Sequence, residues 1–262
     1  MFMSQRLEKV FSEGKKLLVS YMMVGYPDKE SSRRAFEILI ESGSDIIEVG
    51  YPFSDPVADG STIQVAHEVA LKNNTRFKDV VETVSYLREK FSKTPLVVMT
   101  YYNPIFKIGL ERFVSTFAKA GADGFIVPDL PPEESKELKE VVKKYNLALV
   151  MLAAPTSTPE RLKLICNTTD VFTYYVSVTG ITGEREKLPL EELKEKISTY
   201  RNLCDKRVVV GFGISKKEHA KEVGKIADGI VVGSHFVKLA GKKDLEGLAK
   251  AVKTLKEGLE EI

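Results

Sequence analysis

Short apolar runs alternate with amphipathic stretches along the whole chain. Eight of these runs are rich in β-branched or aromatic residues and are bounded by Gly, Pro or Asp. Strands that are covered on both faces show this near-continuous apolar pattern, so the runs predict eight buried parallel strands. They lie at residues 17–24, 45–50, 96–102, 124–129, 148–154, 171–177, 207–213 and 229–234.

The stretches between the runs carry signals for helices. Asp28 is a candidate N-cap for a helix that stops at Gly43, and Pro131 lies where a first helical turn accepts proline. The long interval after the second run has room for two helices, near residues 61–72 and 75–91. Each predicted strand is therefore followed by at least one predicted helix.

Eight such units predict an α/β chain folded as one (β/α)₈ barrel domain over residues 1–262. An N-terminal helix with an apolar face of Leu7, Val10 and Phe11, and the extra helix after strand two, are additions to this plan. An open doubly wound sheet is the alternative, but eight repeats in this length favour closure. In such barrels the active site lies at the carboxyl ends of the strands.

Composition fits this architecture and narrows the possible partners. Hydrophobic residues make up 43% and charged residues 29% of the chain, an ordinary globular balance. The net charge of +2 gives no support for binding to nucleic acid or a membrane surface. No apolar run approaches the roughly 20 residues that span a bilayer. Cys166 and Cys204 fit no metal or redox spacing; they rule out a disulfide framework and predict a reducing, cytoplasmic compartment.

Two carboxylates lie near the end of the second predicted strand. Glu48 stands between Ile47 and Val49, where a charged group is costly unless it is paired, so its pKa is expected to rise. A glutamate with a raised pKa can exchange protons near neutral pH, whereas an ion pair at the barrel mouth is the competing interpretation. Asp59 lies in the loop that follows, where it either assists Glu48 electrostatically or forms a turn.

Glycine-rich segments follow the last three predicted strands, at residues 180–183, 211–215 and 233–234. Glycine lets backbone N–H groups approach an anion, and Ser234 opens a short stretch that can form a helix pointing its N-terminus at the site. Phosphate sites in this kind of barrel lie near strands seven and eight. The segments together predict a phosphate-bearing ligand, and the long polar loop at 178–189 is a candidate lid.

The sequence gives little support for a Schiff-base, metal-dependent or nucleotide-binding site. No lysine occupies the last position of a predicted strand, as a Schiff-base mechanism requires. His67 and His219 are predicted on helix surfaces and His235 at a helix start, with no metal-ligand spacing, so no metal site is expected. There is no P-loop and no dinucleotide fingerprint. Aromatic residues near the strand ends form either core or a wall for a flat apolar ring: Tyr21, Tyr101, Tyr102, Tyr174 and Phe212.

Several motifs, taken in order, resemble one known family. They are EVGYPFSDPVADG at 48–60, PDLPPEES at 128–135, TGITG at 179–183, GFGIS at 211–215 and GS at 233–234. The chain is similar to the tryptophan synthase α-subunit family over essentially its whole length, and the first motif is close to diagnostic. The resemblance implies cofactor-free cleavage of indole-3-glycerol phosphate to indole and glyceraldehyde 3-phosphate.

The resemblance also implies roles for individual residues. Glu48 matches the family's catalytic glutamate, which takes the proton of the glycerol hydroxyl and helps to protonate the indole carbon that is released. Asp59 matches the aspartate that hydrogen-bonds the indole N–H and stabilises the developing positive charge. Substrate-binding positions are implied around the ring at Tyr21, Tyr174 and Phe212, around the phosphate at Gly183, Gly213, Gly233 and Ser234, and in the lid at Thr182.

The resemblance implies a partner as well. The family works with a β subunit that uses pyridoxal phosphate, which implies an αββα complex with a cofactor only in the partner and candidate contacts at residues 52–59, 103–104 and 129–131. Two other functions stay open: another phosphate-binding barrel isomerase or synthase, and a non-catalytic regulatory subunit. Some enzymes of the first kind need a strand-end lysine or cysteine that is missing here, and the two retained carboxylates argue against the second.

Overall fold

Parallel strands hydrogen-bond in chain order and close into an eight-stranded barrel in the computed structural model, which describes residues 4–176, 188–211 and 213–262. Each predicted apolar run contains one strand, so the barrel prediction is confirmed. The strands are β1 (Leu17–Met23), β2 (Ile46–Gly50), β3 (Leu96–Met99), β4 (Gly124–Ile126), β5 (Ala148–Ala153), β6 (Phe172–Val176), β7 (Arg207–Gly211) and β8 (Gly229–Val232).

Helices connect the strands, with a 3₁₀ turn at Pro132–Glu134 before α7. The interval after β2 holds two helices, as predicted, and so does the interval after β3. None of the helices in the described ranges is both long and apolar enough to cross a membrane. Within those ranges they are α1 (Gln5–Ser12), α2 (Lys29–Glu41), α3 (Ser61–Lys72), α4 (Phe77–Lys90), α5 (Tyr102–Ile108), α6 (Leu110–Ala120), α7 (Lys136–Lys144), α8 (Pro159–Thr168), α9 (Leu190–Leu203), α10 (Lys217–Ile226), α11 (Ser234–Gly241) and α12 (Leu245–Glu260).

Apolar side chains fill the barrel interior toward the amino-terminal ends of the strands, and α1 covers that end of the barrel. Leu7, Val10 and Phe11 of α1 belong to the same buried cluster as the inward-facing residues of the strands. The rings of Phe11 and Phe172 lie with their centroids 5.1 Å apart. Because this end is filled and covered, the polar residues of the interior lie toward the carboxyl ends of the strands.

An aspartate stands before each even-numbered strand, at the amino-terminal end of the barrel. The backbone N–H of each aspartate donates to the carbonyl of a residue near the start of the preceding strand. The backbone N–H of that strand residue donates in return to the aspartate Oδ2, over 2.8 to 3.0 Å. The same arrangement therefore occurs four times around the barrel. The pairs are Leu18 with Asp45, Leu96 with Asp123, Leu149 with Asp170, and Val208 with Asp228.

Each of these aspartates also meets at least one cation. Asp123, whose side chain is 2% exposed, pairs with Arg88 at 2.7 Å and Arg6 at 3.2 Å and accepts from the Ser4 hydroxyl at 2.7 Å. A buried carboxylate is tolerated when its charge and lone pairs are satisfied in this way. The other pairs are Asp45 with Lys15 and Lys256, Asp170 with Lys139, and Asp228 with Arg201 and Arg207.

Cys166 of α8 and Cys204 at the end of α9 form a disulfide, with Cα atoms 5.7 Å apart. The sequence predicted that disulfides play no part in the fold, and that prediction needs correction because a single disulfide is present. The two residues are 38 positions apart, and only the packing of α8 against α9 brings them together. Sequence spacing carries no sign of that packing. Cysteine usage consequently lends no support to a reducing compartment.

Candidate active site

Glu48 lies inside the barrel near the carboxyl end of β2 and is 1% exposed. It follows Ile46 by two residues, and Ile46 faces the barrel interior, so strand alternation points Glu48 inward as well. Its Oε1 atom has no hydrogen-bond partner in the described parts of the chain. Burial raises the pKa of the Glu48 carboxyl to about 8, and the nearby charge of Asp59 adds to that shift.

This environment agrees with the expected rise in pKa and gives no support to the ion-pair interpretation, because no cation bridges to Glu48 among residues 4–176, 188–211 and 213–262. A carboxyl group with a pKa near 8 exists in both protonation states around neutral pH. It can therefore accept a proton in one step of a reaction and return it in another.

Asp59 lies in the loop between β2 and α3, with 13% of its side chain exposed. Its Oδ2 atom accepts a hydrogen bond from the Tyr101 hydroxyl at 2.7 Å and lies 3.1 Å from Nε2 of His67. The Ala58 backbone N–H donates to the same Tyr101 hydroxyl at 3.1 Å. Tyr101 thereby fixes both the loop and the carboxylate that the loop carries.

His67 was predicted on a helix surface, and that prediction was wrong. It is 3% exposed and faces the loop that carries Asp59. The sequence held the signal, because His67 shares the buried face of α3 with Ile63 and Ala70 at helical spacing. A histidine on an apolar helix face beside a carboxylate loop is a candidate partner for that carboxylate.

Two tyrosines flank Glu48, and the hydroxyl group of each occupies space that is open because a nearby glycine has no Cβ atom. Tyr21 of β1 stands opposite Glu48 in the strand register. A Cβ atom on Gly50 would lie 2.5 Å from the Tyr21 hydroxyl, and one on Gly211 would lie 2.7 Å from the Tyr174 hydroxyl. Sequence reasoning gave Gly50 no role and placed Gly211 with the phosphate segment, whereas both glycines leave room for these hydroxyl groups.

Removal from water raises the pKa of both Tyr21 and Tyr174 well above the ordinary value, and the negative charges of Glu48 and Asp59 add to the effect. Both phenols consequently keep their protons near neutral pH. Each is a hydrogen-bond donor with a large apolar ring, a combination that suits a flat aromatic ligand with a few polar groups.

The glycine segments after β7 and β8 lie at neighbouring positions on the barrel rim. Gly211 is opposite Val231 in the register, and Gly213 and Gly233 each follow by two residues. Gly213 has a φ of +64°, and Gly233 is the N-cap residue of α11, which begins at Ser234. The N-terminus of α11 carries the positive end of the helix dipole, which favours an anion here.

Three predicted substrate-binding residues, Thr182, Gly183 and Phe212, lie outside the described residues, as does most of the candidate lid. The described chain brings the donor atoms of Cys166, Cys204 and Asp205 within 4.8 Å of one another, a spacing that suits a metal ion. The two sulfur atoms are bonded to each other, however, so this group offers no thiolate ligand.

A barrel with a buried carboxyl of raised pKa, a second carboxylate held by a tyrosine and a helix N-terminus at its strand ends has the features expected of an acid–base enzyme with an anionic substrate. Comparison with known proteins defines the family within that class. The family model described as "Tryptophan synthase alpha chain" matches residues 7–262.

Individual relatives agree with this match. The tryptophan synthase alpha chain of Aquifex aeolicus is 61% identical over 258 residues, which is 98% of each chain. The structure of Mycobacterium tuberculosis tryptophan synthase superposes with a TM-score of 0.91 at 35% identity, covering 98% of each chain. A Saccharomyces cerevisiae protein named tryptophan synthase is 42% identical over 245 residues, which is 91% of this chain but 34% of that longer protein.

The chain therefore belongs to the tryptophan synthase alpha chain family. It is a lyase of tryptophan biosynthesis, in which the alpha reaction is the retro-aldol cleavage of indole-3-glycerol phosphate to indole and glyceraldehyde 3-phosphate.

Proposed function

We propose that Glu48 carries out the proton transfers of this cleavage. The observation that carries the proposal is the position of Glu48: a buried carboxyl group without a partner for Oε1 in the described chain, with its pKa raised to about 8, at the mouth of the barrel. The reaction needs one proton added to the ring carbon and one removed from the glycerol hydroxyl. Loss of the hydroxyl proton forms the aldehyde carbonyl, the C–C bond breaks, and its electron pair returns to the ring.

Asp59 supports the same step from the side of the ring nitrogen. Protonation of the ring carbon leaves positive charge on that nitrogen, and a carboxylate that accepts the ring N–H stabilises the charge as it develops. Asp59 is suited to this role because Tyr101 and His67 contact only its Oδ2 atom in the described chain.

The rest of the proposed substrate pocket combines described residues of the rim with three residues that the family resemblance implies. Tyr21 and Tyr174, together with Phe212, surround the indole ring. Gly213, Gly233 and the N-terminus of α11 at Ser234 hold the phosphate, with Gly183 completing that site. Thr182 is proposed as a further substrate-binding residue on the family resemblance alone. The residues from 1 to 262 act in this proposal as one barrel domain.

The proposed partner is a tryptophan synthase β subunit, in an αββα complex, and pyridoxal phosphate belongs to that partner while the alpha reaction runs without a cofactor. Two large apolar side chains on the same rim support a docking surface: Val57, 71% exposed in the loop after β2, and Phe106, 68% exposed on α5. The greater length of the yeast relative agrees with an alpha-like part that works beside another unit.

Phosphorylated substrates are retained in the cytoplasm, which is the proposed location.

Glu48→Gln tests the proposal. Glyceraldehyde 3-phosphate release from indole-3-glycerol phosphate is measured for parent and variant, each with a β subunit present. We expect kcat to fall by a factor of about 1,000, because general acid–base catalysis typically contributes about 10²–10⁴-fold. The protonated Glu48 carboxyl supplies the proton for the ring carbon, so kcat/KM of the parent should fall as the pH rises through about 8, where this carboxyl ionises. Turnover of the variant within tenfold of the parent contradicts the role of Glu48.

A further inference from the structure

We propose that His67 is a positioning residue that orients the Asp59 carboxylate, so that Oδ2 is held by the protein and Oδ1 faces the substrate. The inference rests on the proposed role of Asp59 and adds to it the part of the scaffold that aims this group. His67 comes from α3, and Asp59 comes from the loop that precedes the same helix.

The hydrogen bonds of His67 determine which ring nitrogen carries the proton. The Phe53 backbone N–H donates to Nδ1 over 2.9 Å, so Nδ1 must be unprotonated to accept it. A neutral imidazole then carries its proton on Nε2, which lies 3.1 Å from the Asp59 Oδ2 atom. The backbone of the loop therefore selects the tautomer that donates to Asp59.

Two donors converge on one oxygen of Asp59. The Tyr101 hydroxyl donates to Oδ2 at 2.7 Å, and His67 donates to the same atom from another direction. In the described residues, no hydrogen bond reaches Oδ1. Because two donors on one oxygen restrict rotation of the carboxylate, the other oxygen keeps a fixed direction with its lone pairs available for a ring N–H.

The donors are themselves held by ring packing. Tyr101 stacks on Phe53 with ring centroids 5.4 Å apart, and the His67 ring meets Tyr101 edge-on at 6.1 Å. His67 is also fixed from behind, because it shares the buried face of α3 with Ile63. The carboxylate thus takes its orientation from α3 and from the start of α5, rather than from its own loop alone.

The test compares two ligands with each protein variant. One is an indolyl alkyl phosphate without the cleavable glycerol bond, and the other is its benzothiophene counterpart, which lacks the ring N–H. The ratio of their dissociation constants reports the contact between the ring N–H and Asp59. In the parent we expect the indole ligand to bind at least about tenfold tighter, because hydrogen bonds to charged groups are the stronger kind. Asp59→Asn should remove most of this preference.

Two substitutions of His67 separate its two hydrogen bonds. In His67→Asn the amide oxygen can accept from Phe53, but the shorter side chain does not reach Asp59. In His67→Gln the amide nitrogen reaches toward Asp59 as a donor. We expect the indole preference to fall to within about threefold in His67→Asn and to be kept for the most part in His67→Gln.

Asn73→Ala is the matched control for a purely structural effect. Asn73 caps the end of the same helix and donates to the carbonyls of Gly25 and Pro27, with no contact to Asp59. Its loss should lower the melting temperature and leave the ligand ratio unchanged. The imidazole ¹⁵N shifts of His67 in the parent give a second measurement, with Nε2 protonated and Nδ1 unprotonated.

The outcomes separate the two proposals. A parent without any indole preference overturns the role of Asp59, and with it the role of His67 as its positioning residue. A parent that prefers indole, with His67→Asn retaining the full preference, overturns the role of His67 while Asp59 keeps its own. A proton on Nδ1 in the parent spectrum also overturns the inference, whichever variants fold.

Discussion

Asp123 and Glu48 are both almost fully buried, at opposite ends of the same barrel. At the amino-terminal end, Asp123 accepts hydrogen bonds from the Leu96 N–H, from the Ser4 hydroxyl and from Arg88. At the carboxyl-terminal end, Oε1 of Glu48 has no partner in the described residues, and burial raises the pKa of this carboxyl to about 8. The same chemical group is therefore bound by a cation and hydrogen-bond donors at one end, and at the other it has one oxygen without a described partner and a raised pKa.

The difference shows how one scaffold supports both stability and chemistry. A buried carboxylate that meets cations and N–H donors ties strand starts and helices together. A buried carboxyl that lacks these partners costs stability but exchanges protons near neutral pH. Asp59 lies between the two cases, because its Oδ2 atom is bound by Tyr101 and His67 while Oδ1 receives no hydrogen bond from the described chain.

The largest expected effect is on stability at the amino-terminal end. Asp123→Asn keeps the shape of the side chain but removes the charge that compensates Arg88 and Arg6. We expect the free energy of unfolding to fall by about 3–5 kcal/mol, the usual cost of breaking a buried ion pair. Urea unfolding measures the change, and kcat of the folded protein should stay within about twofold of the parent.

The control for this variant is Asp205→Asn, which changes an exposed aspartate just before β7. A surface substitution of this kind should alter the free energy of unfolding by no more than about 0.5 kcal/mol. If Asp123→Asn were no more harmful than Asp205→Asn, the carboxylates of the amino-terminal end would not have the stabilising role assigned to them.

Glu48→Gln should have the opposite effect on stability, and the effect should depend on pH. Between the ordinary pKa of 4.5 and the folded value of about 8, the unfolded chain loses the Glu48 proton while the folded protein keeps it. The unfolded state then binds fewer protons, so this group lowers the free energy of unfolding by about 1.4 kcal/mol per pH unit as the pH rises. A glutamine carries no such dependence.

Relative to that of the parent, the free energy of unfolding of the variant should therefore increase by about 2–3 kcal/mol between about pH 5.5 and about pH 7.5. Urea unfolding of both proteins at the two pH values measures this gain. A difference between parent and variant that stays constant across the range would show that Glu48 is ionised in the folded protein throughout, and the contrast with Asp123 would then disappear.

The fold could be predicted from the sequence because each strand leaves a local pattern. The eight apolar runs match the strands to within a few residues. The runs at 96–102 and 124–129 extend furthest past their strands, by three residues each, and in the first of them Tyr101 caps α5 and Tyr102 begins it. The burial of Glu48 could also be predicted, since Ile47 and Val49 on either side belong to a buried strand. These conclusions depend only on neighbours along the chain.

The parts that sequence reasoning missed depend on contacts between distant segments. Cys166 and Cys204 meet only because α8 packs beside α9. The contact between His67 and Asp59 needs α3 to fold back over its own loop, although the spacing of His67 with Ile63 and Ala70 pointed to a buried face. Periodicity thus reveals which face of a helix is buried, but it does not reveal which polar group that face meets.

The smallest of the expected effects tests the anion site at the carboxyl-terminal end. Gly233 precedes α11, and a Cβ atom there would lie 3.6 Å from the Cβ of Tyr21, an ordinary contact distance. Gly233→Ala and Gly233→Asn should therefore be tolerated, with KM for indole-3-glycerol phosphate within a few-fold of the parent. Gly233→Asp adds a negative charge where the phosphate is proposed to bind, and repulsion at about 5 Å in a partly screened site amounts to about 2–3 kcal/mol.

That repulsion corresponds to a rise in KM of about 30- to 160-fold for Gly233→Asp relative to Gly233→Asn, with a smaller effect on kcat. Steady-state kinetics of the two variants, in phosphate-free buffer at several salt concentrations, measure this rise. The ratio of the two KM values should shrink as the salt concentration rises. An aspartate is stabilising beside the cations at one end of this barrel and should compete with the substrate at the other. Equal KM values for the two variants would place the phosphate elsewhere on the rim.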